Sequence, residues 1–234
     1  MFDIAGTVIE DNGEVISAFR AALAKNGLYA DEAGLKEFKG ASKREVIATF
    51  VKRQWGNDPG NEERIAGIYQ DFCRDLEGRY ADGQVKPIAG ARDTFTWLKE
   101  RGIACATTTG FFRSVTDLIL ASTGWREMLS ATICSDDVRS GRPAPYMIFR
   151  AMEESGIDDV REVLIVGDTP LDIKAGHRAG VRGVIGVLTG IHTEERLRLE
   201  SPTHLLATVA HLPALMTSCY SIEALNGTAS PVSV

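Results

Sequence analysis

Four short segments of this chain combine residue types that could do chemistry on phosphorus. In Asp3-Ile4-Ala5-Gly6-Thr7, a carboxylate ends a short apolar run and a Gly-Thr turn follows. A carboxylate held at a strand tip can attack phosphorus and form an aspartyl-phosphate. Gly6 lets backbone approach the phosphate closely. Thr107-Thr108-Thr109-Gly110 follows a second apolar run. A hydroxyl beside backbone N–H groups at the start of a helix makes a phosphate cradle, and Thr109 is the best-placed hydroxyl. In Gly141-Arg142-Pro143-Ala144-Pro145, two prolines fix the backbone around one cation. That guanidinium can meet a phosphate oxygen and hold the nucleophile's carboxylate nearby. Gly167-Asp168-Thr169-Pro170-Leu171-Asp172 sets two carboxylates four apart at the end of an apolar run. Mg²⁺ prefers such oxygen ligands, so Asp168 would complete a Mg²⁺ site with Asp3, with Asp172 supporting it from behind. Each segment taken alone also has a plainer reading. These are a strand-end Asp before a turn, a helix-capping Thr109 or Asp168, a solvated Arg142 and first-turn charge at Asp172.

The elements that must hold these residues alternate. Ala91 to Arg101 reads as a helix closed by Gly102, Ile103 to Thr107 as a buried strand, and Ser114 to Ser122 as a helix. Strand Thr132 to Cys134, helix Pro145 to Ser155, strand Glu162 to Val166, helix Leu171 to Ala179 and strand Gly183 to Val187 follow. This alternation predicts an α/β fold with a doubly wound parallel sheet, whose ligands bind outside the carboxyl ends of the strands. Between about residues 13 and 83 no strand is predicted. Glu14 to Lys25 reads as a helix ending at Asn26-Gly27, and Asn61 to Tyr80 as a long amphipathic helix. Ser42 starts another helix, with Glu45 three residues on as a capping box. The expected organisation is an α/β core (1–12 and 84–225), an inserted helical cap (13–83) and a flexible tail (226–234), with fraying expected over Leu225 to Val234.

The 234 residues can bury a sizeable core. Charged residues at 25% and hydrophobic ones at 44% are ordinary for a globular enzyme. A net charge of −6 argues against nucleic-acid and acidic-membrane partners, and no apolar run is long enough to span a bilayer. Cys73, Cys105, Cys134 and Cys219 are scattered, so a reduced, cytoplasmic protein is expected, as monomer or homodimer. Only two residues precede Asp3, so the first strand looks clipped and the natural start is expected upstream.

Taken in order, each after a strand, the four segments resemble the motifs of the haloacid dehalogenase superfamily of Mg²⁺-dependent phosphohydrolases over essentially the whole chain. The resemblance implies Asp3 as nucleophile, and Mg²⁺ on Asp3, the Ala5 backbone carbonyl and Asp168. It implies phosphate held by Thr109 and Arg142, with backbone at Ala5, Gly6 and Gly110, beneath a mobile cap. Most members carry a second Asp two residues after the nucleophile as general acid and base, and here that position is Ala5. The DxAGT form and GRPxP resemble phosphonatase, which cleaves a carbon–phosphorus bond after a cap lysine forms a Schiff base with the substrate aldehyde. A leaving group that departs as an enamine needs no Asp to protonate an alkoxide. Lys43, in Gly40-Ala41-Ser42-Lys43, falls where that lysine should be.

Three positions depart from the phosphonatase pattern. Val46 stands in place of a His, Phe111 in place of a Tyr and Lys39 in place of a Met, so the cap does not reproduce that specificity site. The stretch Gly186 to His192 resembles a phosphonatase-like sister group, with His192 as a further polar residue. Arg113 could add positive potential at the phosphate. The leading expectation is a hydrolase of a small phosphonate or phosphorylated metabolite. The alternatives are a phosphomonoesterase of phosphoglycolate phosphatase type and a non-catalytic phosphate-binding module.

Overall fold

The computed structural model describes residues 1–31, 34–35, 38, 41–82 and 85–220. Strand β1 (Ala106–Thr108) pairs in parallel with β2 (Ala131–Ile133). β3 (Leu164–Gly167) pairs in parallel with β4 (Gly183–Val187), and β4 with β5 (His204–Leu206). Phe2 joins the two groups, bridging Thr107 on one side and Val166 on the other. Its N–H donates to the Ala106 carbonyl at 2.8 Å, and its own carbonyl accepts from the Thr108 N–H at 2.9 Å. The order across the sheet is therefore β2, β1, Phe2, β3, β4, β5, all parallel. Such strands are covered on both faces, which is why they read as unbroken apolar runs: every residue of β1 and β4 is buried.

The ring of Phe2 packs edge-on against Phe95 at 5.1 Å, and Phe95 in turn against Trp125 at 5.2 Å. Phe95 and Trp125 are fully buried, so the residue before Asp3 is fixed by backbone and ring alike. Helices α4 (Ala91–Glu100), α5 (Arg113–Thr123), α6 (Tyr146–Ser155) and α7 (Pro170–Ala179) alternate with the strands, and α8 (Glu194–Arg198) and α9 (Leu212–Cys219) complete the core.

Two strands start later than the sequence predicts. The chain turns at Gly102 (φ 66°) and the Ile103 N–H bonds the Leu98 carbonyl, so Ile103 belongs to the end of α4. Residues 160–162 form a 3-10 turn whose first N–H groups include a donor to the Asp159 side chain, which delays β3 to Leu164. β5 and α9 carry too few residues for a periodic signal, and neither is predicted from the sequence.

Before α4 lie α1 (Glu14–Lys25), α2 (Lys43–Trp55) and α3 (Asn61–Asp82), and the described residues from 13 to 82 contain no strand. α3 packs against both α1 and α2, with Phe19 stacked on Phe72 at 4.4 Å. α1 ends as expected, at Asn26 and a left-handed Gly27 (φ 72°). α2 does not start as expected: Ser42 precedes it, but its side chain makes no cap hydrogen bond, so the Ser42/Glu45 capping box is absent. The chain enters and leaves this helical segment through one short ladder. Glu10 N–H donates to the Lys86 carbonyl at 2.8 Å, and Ile88 N–H to the Val8 carbonyl at 2.9 Å. Phe112 reaches across from the core to meet Tyr69 and Phe72 edge-on.

All four cysteines are free thiols. No described helix is long and apolar enough to cross a membrane. Lys39, Gly40 and the expected frayed stretch Leu225 to Val234 lie outside the described residues.

Candidate active site

Asp3, Thr109 and Asp168 each follow a sheet segment directly, so they emerge side by side at the carboxyl edge of the sheet. The turn after Asp3 is tight. The Ile4 carbonyl accepts from the N–H groups of Thr7, Val8 and Ile9, while Gly6 N–H donates to the Ile9 carbonyl at 2.8 Å. Gly6 adopts φ 89°, and a Cβ there would stand 2.5 Å from Oδ2 of Asp168. Glycine is required at this position on both counts.

Asp168 is wholly buried. The Thr7 hydroxyl donates to its Oδ1 at 3.2 Å. On its other side a Cβ at Gly190 would fall 1.8 Å from Oδ2. The Thr189 hydroxyl donates to the Gly6 carbonyl at 2.6 Å, tying the turn after β4 to the turn after Asp3. Asp168 does not cap α7, since that role belongs to Thr169, whose side chain accepts from the Asp172 N–H. The Asp172 Oδ2 returns the box by accepting from Thr169 N–H at 3.0 Å and Thr169 Oγ1 at 2.6 Å.

Arg142 binds the cluster together. Its Nη2 donates to Asp3 Oδ1 at 2.6 Å and to the Thr108 carbonyl at 3.0 Å, and its Nη1 donates to Asp172 Oδ1. Burial pulls its pKa down, but the charges of Asp172, Asp3 and Asp168 outweigh burial and push it up. Burial pushes the Asp172 carboxyl up to about 6, against the pull of Arg142. The two shifts oppose each other over one ion pair, and the direct contact of Arg142 with both carboxylates favours the charged pair. Oxygens of Asp3, Asp168 and Asp172 lie within 4.8 Å of one another. Three carboxylates around one guanidinium leave an excess of negative oxygen, a donor set that fits a hard divalent cation.

Above Asp3 sits a chamber of about 30 Å³, lined among others by Asp3, Ala5, Asp11, Lys43, Thr109 and Phe111. Thr109 is buried and its Oγ1 accepts from the Phe111 N–H at 3.1 Å. Gly110 lines the same chamber. Lys43 is only 4% exposed. Its Nζ donates to the Ala41 carbonyl at 3.2 Å and stands 5.6 Å from the centre of the Phe111 ring. The fold thus carries a lysine from the first turn of α2 into the chamber of Asp3, across a long stretch of sequence.

Other expected residues stay outside. Arg113 pairs with Asp137 and donates to the Thr132 carbonyl at 2.9 Å. Val46 is buried within the helical segment, and neither it nor the half-exposed His192 lines the chamber. His192 is the residue expected from this turn, whereas Thr189 and Gly190 are the ones that touch the cluster. The signal was available, because a Thr-Gly pair just past a strand matches the pattern used for Thr109-Gly110. A larger cavity of about 260 Å³, lined by Phe2, Ile103, Val163, Leu164 and Tyr220 among others, opens at the opposite end of the strands. It lies away from the carboxyl ends of the strands, where ligands of an open parallel sheet generally bind.

Comparison with known proteins identifies the family and the fold. The family model described as haloacid dehalogenase-like hydrolase matches residues 1–187. A phosphonoacetaldehyde hydrolase of Hahella chejuensis is 30% identical over 218 residues, spanning 86% of this chain and 73% of its own length. One from Bacillus cereus is 30% identical over 204 residues, spanning 81% of this chain and 75% of its own. The crystal structure of a phosphonoacetaldehyde hydrolase-like protein from Oleispira antarctica superposes with a TM-score of 0.80. It is 24% identical and covers 92% of this chain and 90% of that one. CbbY from Rhodobacter sphaeroides, solved in complex with phosphate, superposes with a TM-score of 0.74 at 22% identity, covering 90% of this chain and 94% of that one. Four strand-end turns converging on one buried carboxylate, and a family match across most of the length, lead to one conclusion: the chain belongs to the haloacid dehalogenase-like hydrolases.

Proposed function

We propose that this hydrolase is Mg²⁺-dependent and phosphonatase-like, cleaving a small phosphonate or phosphorylated metabolite through an aspartyl-phosphate on Asp3. The observation that carries the reading is the pairing in one chamber of a strand-tip carboxylate, gripped by Arg142, with a buried lysine and an alanine where an acid would stand.

Arg142 holds Asp3 by one oxygen, which orients the carboxylate for attack on phosphorus in line with the leaving group. The Arg142 Nε is buried and has no hydrogen-bond partner among the described residues. An unpaired charged donor of this kind costs about 1–3 kcal/mol, and Arg142 reaches the chamber through Asp3 rather than lining it. The Thr109 hydroxyl and the backbone at Gly110 complete the cradle as charge develops on the phosphoryl oxygens; the Gly6 N–H expected there is instead committed to the Ile9 carbonyl. Asp3, Asp168 and the Ala5 carbonyl would hold the Mg²⁺, with Asp172 keeping Arg142 and Thr169 in place behind them. When bound, the ion supplies positive charge to the transferring group.

Lys43 is read as the residue that condenses with a substrate aldehyde, so that the carbon leaving group departs as an enamine and Ala5 suffices. The segment 13–83 is read as a cap over the chamber, contributing Val15 and Lys43 to its wall. The phosphomonoesterase reading is favoured by one specific observation: the positions expected to carry a His and a Tyr hold the buried Val46 and Phe111, neither of which can carry a proton. The substrate is a small molecule, and no nucleic-acid or membrane partner is invoked.

The test is to incubate the protein with phosphonoacetaldehyde and borohydride and to search Lys43 for the reduced adduct by mass spectrometry. An adduct, with turnover lost in Lys43→Ala, is expected. No adduct and unchanged turnover in Lys43→Ala would discard the imine. Steady phosphate release from phosphate esters alone would then select the phosphomonoesterase.

A further inference from the structure

Ala5 leaves the site without an acid or base beside the nucleophile, and the chamber contains a second carboxylate that nothing above employs. We propose that Asp11 is the general acid and base of this site, delivered from the linker into the helical segment rather than from the nucleophile's own turn. The proposal rests on Asp3 being the nucleophile. Among the residues lining the chamber, Asp11 is the one carboxylate besides Asp3, and it shares the wall with Ala5.

Local backbone geometry explains how a residue eight positions away returns to the nucleophile. The turn over residues 4–9 doubles the chain back, with Gly6 N–H on the Ile9 carbonyl. The Glu10–Lys86 bond then pins the outgoing strand. Gly13, left-handed at φ 86°, donates its N–H to Asp11 Oδ1 at 2.9 Å, closing an Asx turn that fixes the side chain. Asp11 is half-buried, so it can exchange protons with water while facing the chamber.

The charged and titratable groups around it are named by the same geometry. Lys43 comes from α2 and Asp3 from the sheet, while Glu14 lies at the start of α1. The Tyr80 hydroxyl of α3 is buried, has no hydrogen-bond partner among the described residues, and feels the charges of Glu14, Asp11 and Asp3. Lys43 and Asp11 thus bring opposite charges to one chamber, beside the nucleophile.

The steps balance. An Asp3 oxygen bonds to phosphorus as the bond from phosphorus to the leaving oxygen breaks. The electron pair goes to that oxygen, and the Asp11 carboxyl supplies its proton. Water then attacks the aspartyl-phosphate, Asp11 carboxylate takes the water's proton, and the Asp3 carboxylate leaves. The products are an alcohol and inorganic phosphate. Where an enamine is the leaving group, the first transfer is not needed and the second remains.

The experiment compares p-nitrophenyl phosphate, whose leaving group needs no proton, with an alkyl phosphate, in wild type, Asp11→Asn and Asp11→Glu. Beryllofluoride binding to Asp3, read by fluorine NMR, is followed in each. For Asp11→Asn, alkyl phosphate turnover should fall by about 10²–10⁴-fold. The first burst of p-nitrophenol should stay within a few-fold of wild type, phosphoryl-enzyme should accumulate on acid quench, and Asp11→Glu should restore part of the loss. Equal losses on both substrates with no accumulated phosphoryl-enzyme, or no loss on either, would overturn the role of Asp11 while leaving Asp3 in place. A wild type that binds no beryllofluoride would overturn the nucleophile and Asp11 together.

Discussion

The floor and the roof of the chamber are built in opposite ways. On the floor, Arg142 joins Asp3 and Asp172, and Thr7 holds Asp168, so residues from three segments of the chain are fixed together. A buried guanidinium bonds two carboxylates, and a third carboxylate is wedged between two glycines. On the roof, Asp11, Val15 and Lys43 reach in from a linker and two helices that join the sheet through one short ladder. A floor so over-determined can carry charge development without rearranging. The roof is built from helices packed on the core through Phe111 and Phe112, outside the charged cluster, so under the proposed mechanism leaving-group chemistry and specificity can change there without disturbing the nucleophile.

The largest expected effect lies on the floor. Asp3→Asn keeps the shape and removes the nucleophile, so phosphate release should fall by on the order of 10⁴-fold or more. The fold should survive, because Asp172 still pairs with Arg142. Steady-state phosphate release with a denaturant melt on the same sample reads both. Activity within tenfold of wild type would move the nucleophile elsewhere.

Arg142→Lys comes next. A lysine keeps the charge but cannot serve Asp3 and Asp172 at once with a planar fork. Turnover should drop by about 10²–10³-fold, the range for losing one preorganised donor. A loss confined to KM would mean that Arg142 only binds substrate.

Gly190→Ala tests the back of the floor. The new methyl would collide with Asp168, so the carboxylate must shift. Mg²⁺ affinity, measured by calorimetry on the protein alone, should weaken by about 10–100-fold, as for other groups that orient metal ligands. Thr189→Val should cost less, roughly the 0.5–1.5 kcal/mol of one hydrogen bond, and Thr189→Ser should restore it. Unchanged Mg²⁺ binding in Gly190→Ala would show that Asp168 does not hold the ion.

Floor and roof also differ in how much of them the sequence reveals. Asp3, Thr109, Arg142 and Asp168 sit in turns after apolar runs, and the physics of strand ends makes each readable locally. Their assembly into one cluster was inferred from order along the chain, which a parallel sheet preserves. The contacts that refine the cluster were not readable. Thr189 meets Gly6 across 183 residues, and Thr7 meets Asp168 across 161. No local pattern reports such pairings. On the roof, Lys43 could be placed only through resemblance, and Asp11 carried no signal, since an Asp-Asn-Gly run reads as an ordinary turn. β5 and α9 were too short to announce themselves.

The smallest effect concerns the start of α2, where local and tertiary signals disagree. Ser42 and Glu45 spell a capping box, yet Ser42 instead packs against the loop before Arg142, its Cβ 3.2 Å from where a Gly141 side chain would begin. What sets the position of α2, and with it Lys43, is burial of Val46, Ile47 and Val51. Ile47→Ala should therefore cost about 2–5 kcal/mol in a denaturant melt. Glu45→Ala should stay within about 0.5 kcal/mol of wild type and leave turnover unchanged. A Glu45→Ala loss near the roughly 1 kcal/mol of a working cap would mean that the box forms after all. Ser42 would then be released from the Gly141 loop, and the roof would be tied to its own helix rather than to the floor beneath it.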